Sequence, residues 1–249
     1  MNTFVNPKNR FSETGGNYDL YRPSYPRKLV DWIIKTSKIK SSGWIVDIGC
    51  GTGISTRLFD KKGFTVIGLD PNKDMLTYAI TRGGNVLYRK GSADDTGFSK
   101  QSIDLITVAQ AFHWFNVKDV MKEFKKVLKP QGSACAFWNT RVMSPFMEDY
   151  QSLVDKLCVD YPKTKKASET IPEIKNFPGI KSFKEASFPY SQKLNLEGLI
   201  GRAYSTSYIV HGIRDHEEFK KSLNKIFRKN QKKEKIEFVY KTVTAIWQF

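Results

Sequence analysis

The stretch VDIGCGTG at Val46–Gly53, followed by GLD ending at Asp70, decides the fold. An apolar strand at Trp44–Ile48 runs into glycines at alternate positions, Gly49, Gly51 and Gly53. A second apolar strand at Phe64–Leu69 ends in an acid 17 residues after Gly53. Glycines at a strand-to-helix turn allow a tight bend and let a ligand approach where no Cβ intervenes. An acid at the tip of the next parallel strand is placed to accept hydrogen bonds from both hydroxyls of a ribose. The pattern predicts a nucleoside-binding half of a doubly wound sheet.

The glycine spacing selects among nucleosides. A dinucleotide loop of the G-x-G-x-x-G type needs its third glycine where this chain has Ile54, and Gly53 sits one residue early. A phosphate loop of the G-x-x-x-x-G-K-[ST] type is also missing, because no Lys-Ser or Lys-Thr follows these glycines.

Continuous apolar runs alternate with amphipathic stretches along the rest of the chain. Helices are expected near Ile54–Lys62 and Lys73–Arg82, and strands at Val86–Lys90 and Ile103–Ala109. A helix over Val117–Lys129, stopped by Pro130 with Gly132 behind it, should lead to a fifth strand at Ala134–Asn139. Two period-two segments, Phe183–Leu194 and Ile236–Phe249, are expected to close one edge as an antiparallel pair. Tyr161–Pro178, rich in lysine, proline and polar residues, reads as an inserted loop or cap. The fold class is α/β: a doubly wound, mostly parallel sheet covered on both faces, with an antiparallel edge and a small cap.

Composition narrows the function. The 249 residues are 40% hydrophobic and 13% aromatic, enough for a real core. No apolar run approaches the ~20 residues that span a bilayer, and the first residues lack the apolar segment of a secretory signal. Cys50, Cys135 and Cys158 have no C-x-x-C spacing and suggest neither a metal site nor a disulfide framework. Together these features fit a reducing cytoplasm. The net charge of +16 divides evenly between residues 1–150 and 151–249. Its densest run, Lys220–Lys235, interleaves with Phe219, Leu223, Ile226 and Phe227 at helical spacing. That run is either an amphipathic surface helix or a phosphate-binding face.

Candidate site residues sit where the carboxyl ends of the strands should open onto a crevice. Met75 and Leu76 follow Asp70 by one turn and can lie against an adenine or join the core. Ala93 and Asp94, at the end of strand three, can read an adenine edge through an amide and a carboxylate; Asp94 can equally cap a helix. Gln110 ends strand four in AQAFHWF. Three residues further on, His113 is the candidate base, because an imidazole titrates near ~6.5, although it can also only line the pocket. Trp114, Trp138 and Tyr204, with Phe115, can form an aromatic acceptor pocket or belong to the core.

DIGCGTG resembles motif I of the class I S-adenosylmethionine-dependent methyltransferases. With it, YDLYRPSYP at Tyr18–Pro26, AQAFHWF at Ala109–Phe115 and GRAYSTSY at Gly201–Tyr208 resemble a group of small-molecule enzymes. That group is similar to trans-aconitate methyltransferase and the toxoflavin-type N-methyltransferases, and the resemblance covers roughly residues 10–249. It implies S-adenosyl-L-methionine as cofactor, with Asp47 helping to orient the ammonium of the methionine moiety through solvent or backbone. It also implies a single methyltransferase domain over 1–249, with a lid segment at 1–40 and cap elements at 144–182 and 195–232. In the lid, Tyr18, Tyr21 and Arg22 would lie near the methionine end or the substrate, or the tyrosines would pack on Pro23 and Pro26.

The implied reaction is in-line methyl transfer to a small carboxylate or to a heterocycle O or N, in a pocket between sheet and cap. The basic balance favours an anionic acceptor, with Arg22, Arg141 or Arg202 as clamps. The alternative is a nucleic-acid methyltransferase using the basic surface. Against it, AQAFHW lacks the Asn/Asp-Pro-Pro-aromatic sequence of enzymes that methylate exocyclic base nitrogens, and Cys135 falls inside a strand rather than after one. A scaffold without activity is disfavoured because Gly49, Gly51, Gly53, Asp70 and Asp94 are all present.

Overall fold

The computed structural model describes residues 19–159 and 165–249. Seven strands form one sheet in the order β3-β2-β1-β4-β5-β7-β6. They are β1 (Trp44–Ile48), β2 (Thr65–Asp70), β3 (Val86–Lys90), β4 (Ile103–Ala109), β5 (Leu128–Arg141), β6 (Ser182–Leu194) and β7 (Ile236–Gln248). Among the described residues the helices include α1 (Arg27–Ser37), α2 (Thr56–Asp60), α3 (Lys73–Thr81), α4 (Val117–Val127), α5 (Pro145–Leu157), α6 (Ala167–Lys175), α7 (Leu196–Tyr204), α8 (Ser207–Gly212) and α9 (His216–Asn230). Strands β1 to β5 pair in parallel, and the remaining edge is antiparallel, as the period-two segments predict.

Alternation within each strand explains why these runs are continuously apolar. Ile45 of β1 and Leu105 of β4 join one core cluster with Leu29, Val30 and Ile33 of α1 and Phe59 of α2. Their neighbours Val46, Ile48, Ile106 and Val108 join a second, with Val120, Met121, Phe124 and Val127 of α4. Both faces are buried, so no polar alternation survives. The register sets Asp47 beside Gly68 and Thr107, which brings the carboxyl ends of β2, β1 and β4 to one edge. The strand order reverses between β1 and β4, the place where open α/β sheets take ligands.

Two expectations need correction. The helix before β5 ends at Val127, not Lys129, and β5 runs over Leu128–Arg141 instead of Ala134–Asn139. Pro130 therefore lies in the strand, exposed, where the β4–β5 pairing jumps from Ile103↔Leu128 to Leu105↔Ser133. An irregular, exposed stretch of this kind tolerates a residue that cannot donate to the ladder. Tyr161–Pro178 is not wholly loop: Ala167–Lys175 forms α6 around Pro172. Its Ala167, Thr170 and Ile174 recur at helical spacing and are buried, which outweighs the proline. The basic run falls on α9 as far as Asn230, with Phe219 and Leu223 buried beneath the lysines.

The chain divides into two compact units. One comprises Ser24–Asn139, Thr164–Phe188 and Thr242–Phe249, and carries the core clusters just described. The other comprises Met1–Pro23, Thr140–Lys163 and Pro189–Lys241, with a core of its own that includes Phe146, Tyr150, Leu199, Ala203, Phe219, Phe238 and Tyr240. No helix among the described residues is long and apolar enough to cross a membrane.

Candidate cofactor and catalytic site

The turn after β1 is built on left-handed backbone. Gly49, Gly51 and Gly53 have φ of +68°, +54° and +78°. A Cβ on Gly49 would meet that of Ala111 at 2.7 Å, and one on Gly53 would run into the Tyr88 hydroxyl. At Gly51, by contrast, a Cβ would meet nothing within 4 Å. Packing and backbone together thus require the first and third glycines, whereas the second is favoured by its backbone alone and faces open space.

Hydrogen bonds fix the turn. The amides of Gly49 and Cys50 both donate to Leu69 O, at 2.8 and 3.1 Å. Arg57 Nη1 donates to Thr52 O at 2.6 Å. Asp70, at the tip of β2, accepts the Gly51 amide on Oδ2 at 2.9 Å and the Asn72 amide on Oδ1 at 2.8 Å. Burial lifts its carboxyl above the ordinary value, against the pull of those two amides. Each carboxylate oxygen keeps further acceptor capacity.

Asp47 has a different setting. It is fully buried, with Oδ2 accepting from Ser55 and Thr56 at 2.7 and 2.6 Å and Oδ1 from Thr107 at 2.8 Å. Burial raises its pKa, opposed by the three hydroxyls. These bonds tie β1 to β4 and to the start of α2. Burial, with Asp70 and Asp47 nearby, likewise drives the Cys50 thiol far up, so it stays protonated and inert.

The neighbouring tips complete the edge. Asn72 caps α3 by accepting the amides of Asp74 and Met75, which fixes Met75 in the core at 3% exposure. Ala93 is buried and Asp94 exposed. Their loop is held from α4, where Glu123 Oε1 accepts the amide and hydroxyl of Thr96 at 3.1 and 2.7 Å. Gln110 adopts φ of +55° at the end of β4. Its amide donates to Phe137 O at 2.9 Å, and its side-chain Oε1 accepts the Asn139 amide at 2.9 Å. A non-glycine residue in this conformation is a strained tip of the kind found at binding sites.

After it, Phe112–Trp114 forms a short 3-10 turn. Phe112 is fully buried, whereas His113 is half-buried with its ring 4.9 Å from that of Trp114, which is 36% exposed. Trp138 is a core residue at 3% exposure. All of these residues, from Asp47 to Trp138, belong to one compact unit.

Tyr21, Arg22 and Tyr204 belong to the other. There the Tyr21 ring occupies the space a Cβ on Gly201 would need, and Arg22 donates to Ser205 O at 3.1 and 3.3 Å. The Tyr204 hydroxyl is 3.0 Å from His216 Nδ1. Tyr18 lies outside the described residues.

Tyr88, Thr107 and Glu123 support this site and escape sequence reading, because they sit mid-strand or mid-helix and act only through contacts across the fold. Burial pushes the Tyr88 phenol up to about 12, consistent with a filler packed beneath the turn. Asn72, in contrast, stands in front of an amphipathic run, and its capping role was readable from that position.

Known proteins share both sequence and fold with this chain. The family described as a methyltransferase domain matches residues 46–136. An uncharacterized methyltransferase-like protein of Schizosaccharomyces pombe is 32% identical over 203 residues, covering 80% of this chain and 78% of its own. A second uncharacterized methyltransferase of that yeast is 30% identical, covering 74% and 72%. Among solved structures, one from Anaeromyxobacter dehalogenans, provisionally described as a type II methyltransferase, superposes with a TM-score of 0.68 at 22% identity, covering 91% and 97%. Similarity of sequence along most of the chain and the glycine turn at the strand tips agree: the chain belongs to the class I S-adenosylmethionine-dependent methyltransferases.

Proposed function

We propose that the protein transfers a methyl group from S-adenosylmethionine to a small-molecule acceptor, with the cofactor lying along the tips of β1 to β4. The observation that carries this placement is the pairing of Asp70 with an open Gly51: room for a ligand beside a buried carboxylate with spare acceptor capacity. The buried Thr52 hydroxyl, which has no hydrogen-bond partner, adds a second polar group at the same turn. The residues therefore fit the group.

The cofactor supplies a methyl made electrophilic by its sulfonium. Asp70 would accept from the ribose hydroxyls, and Met75 would meet the adenine face from its seat in the core. The backbone amide at Ala93 would read the adenine edge, and Asp94 would accept from the exocyclic amine. The strained Gln110 tip would present backbone groups to the methionine end. The geometry supports an indirect role for Asp47: its hydroxyl bonds set the angle at which the turn leaves β1. His113 would take a proton from the acceptor, and alignment and exclusion of water would supply the rest of the rate.

The test is a thermal shift and calorimetric titration with S-adenosylhomocysteine, followed by a methyl-transfer screen over small carboxylates and heterocycles. Saturable binding and one methylated acceptor are expected. A chain that binds NAD as well as S-adenosylhomocysteine would overturn the proposal.

A further inference from the structure

In the unit comprising Met1–Pro23, Thr140–Lys163 and Pro189–Lys241, the described residues hold positive charge in the interior with no buried acid among them to balance it. Arg202, at the end of α7, is 3% exposed. Its Nη1 reaches the hydroxyls of Ser205 and Thr206 at 3.3 and 3.2 Å, while its Nε is buried with no hydrogen-bond partner. Arg141, at the end of β5, lies half-buried with Nη2 3.5 Å from the Tyr208 hydroxyl. Among the described residues neither guanidinium forms an ion pair with a carboxylate.

Aromatic rings join the two arginines into one cluster. Arg141 stands 5.6 Å from the Tyr150 ring and Arg202 5.8 Å from that of Phe238. The Phe238 ring is 5.8 Å from Tyr150 and stacks at 6.3 Å on Tyr240, whose hydroxyl is also buried without a partner. Ring faces attract cations but supply no countercharge, and a buried charge is tolerated only when something balances it. The Tyr208 phenol registers the excess: burial pushes it up, yet Arg141, Arg202 and Arg22 together hold it below its ordinary value. Interiors pair the great majority of their polar atoms. The unpartnered Arg202 Nε and Tyr240 hydroxyl, in a cluster of two guanidinium groups that no described carboxylate balances, therefore describe a place prepared for an anion.

We propose that Arg141 and Arg202, with the hydroxyls of Tyr208 and Tyr240, form a binding site for the oxyanion of a small acid, a carboxylate or phosphate group. The guanidinium fork matches either group, and its donors stay charged at any working pH. The site stands independently of the methyl-transfer proposal, since none of its residues belongs to the cofactor turn.

The test titrates the full chain with citrate, inorganic phosphate and, at matched ionic strength, sodium chloride. Melting temperature and binding heat are measured, together with the ultraviolet titration of phenolate. Citrate or phosphate should stabilise the protein where chloride does not, and should raise the pH at which the perturbed phenol ionises. Binding of citrate alone identifies a carboxylate site, and binding of phosphate alone a phosphate site. Arg202→Gln and Arg141→Gln should each weaken binding roughly tenfold or more. Tyr240→Phe, which removes only an unpartnered hydroxyl, should fold normally and bind more weakly. No preference over chloride, unchanged binding in all three variants, or a phenolate present near neutrality that no anion shifts would each overturn the proposal.

Discussion

Asp70 accepts the Gly51 amide through Oδ2 at 2.9 Å, tying the tip of β2 to the bend that follows β1. The same carboxylate accepts the Asn72 amide at 2.8 Å, which sets the start of α3. One side chain thus fixes three backbone segments around the open face of Gly51. Asp70→Asn keeps the shape but loses the charge and one acceptor. Removing a charge-assisted bond costs about 1.5–3 kcal/mol, so affinity for S-adenosylhomocysteine should fall at least tenfold by calorimetry. Unchanged affinity would mean that the ribose lies elsewhere.

The glycines of the turn should separate folding from binding. Gly51→Ala and Gly53→Ala each force alanine into left-handed backbone, which costs about 1–2 kcal/mol. At Gly53 the new methyl must also displace the Tyr88 hydroxyl and Arg57, so this variant should lose the more stability in urea denaturation. Gly51→Ala has free room in the protein and should fold, yet it should bind cofactor poorly because the methyl takes up the ligand's space. Equal effects of the two on both readouts would refute the assignment of Gly51 to the ligand face.

Glu123 gives a pH signature. Burial raises its pKa, but Lys126 and Thr96 outweigh burial and hold it below the ordinary value of 4.5. A depressed carboxyl contributes stability above 4.5 that is lost as pH falls through the folded value. Glu123→Gln keeps an acceptor for Thr96 and should cost about 1 kcal/mol at neutral pH. Measured by denaturant midpoints, the gap between variant and parent should narrow below pH 4.5. A gap that stays constant in acid would show that the charge contributes nothing to holding the Thr96 loop.

The centre of the sheet was legible in the sequence because β1, β2 and β4 are buried on both faces and stand out as apolar runs. The edge strand β3 is half-exposed, and glycines at Gly83, Gly84 and Gly91 bracket it instead. The start of β5 was not legible, since Leu128–Ser133 pairs irregularly and carries the turn-forming Pro130 and Gly132, with only Lys129–Gln131 exposed. Helix α6 was hidden by the lysines that precede it and by Pro172, and is held by tertiary burial of Thr170 and Ile174. At the site, the glycines and Asp70 announce themselves because backbone conformation restricts the residue type. The three hydroxyls on Asp47 carry no such signature, since Ser55, Thr56 and Thr107 act only once β1, β4 and α2 have come together.

His113 carries the sharpest prediction about chemistry. It follows the strained Gln110 by one short turn, and buried Phe112 anchors that turn in the core beside Phe124 and Trp247. The imidazole is therefore held by rigid packing while its own ring stays half-buried against Trp114. If it removes a proton from the acceptor, His113→Gln should leave S-adenosylhomocysteine affinity intact and lower kcat by about 10²–10⁴-fold. In the parent, kcat/KM should rise with pH through the imidazole range, since only the neutral ring accepts a proton, and this limb should vanish in the variant. A residue that only lines the pocket would instead raise KM with kcat little changed and the pH limb retained. An acceptor that is already ionised at neutral pH needs no base, so the comparison requires one that still carries its proton. With such an acceptor, normal kcat and a retained limb in His113→Gln would eliminate His113 as the base and leave alignment as the source of the rate.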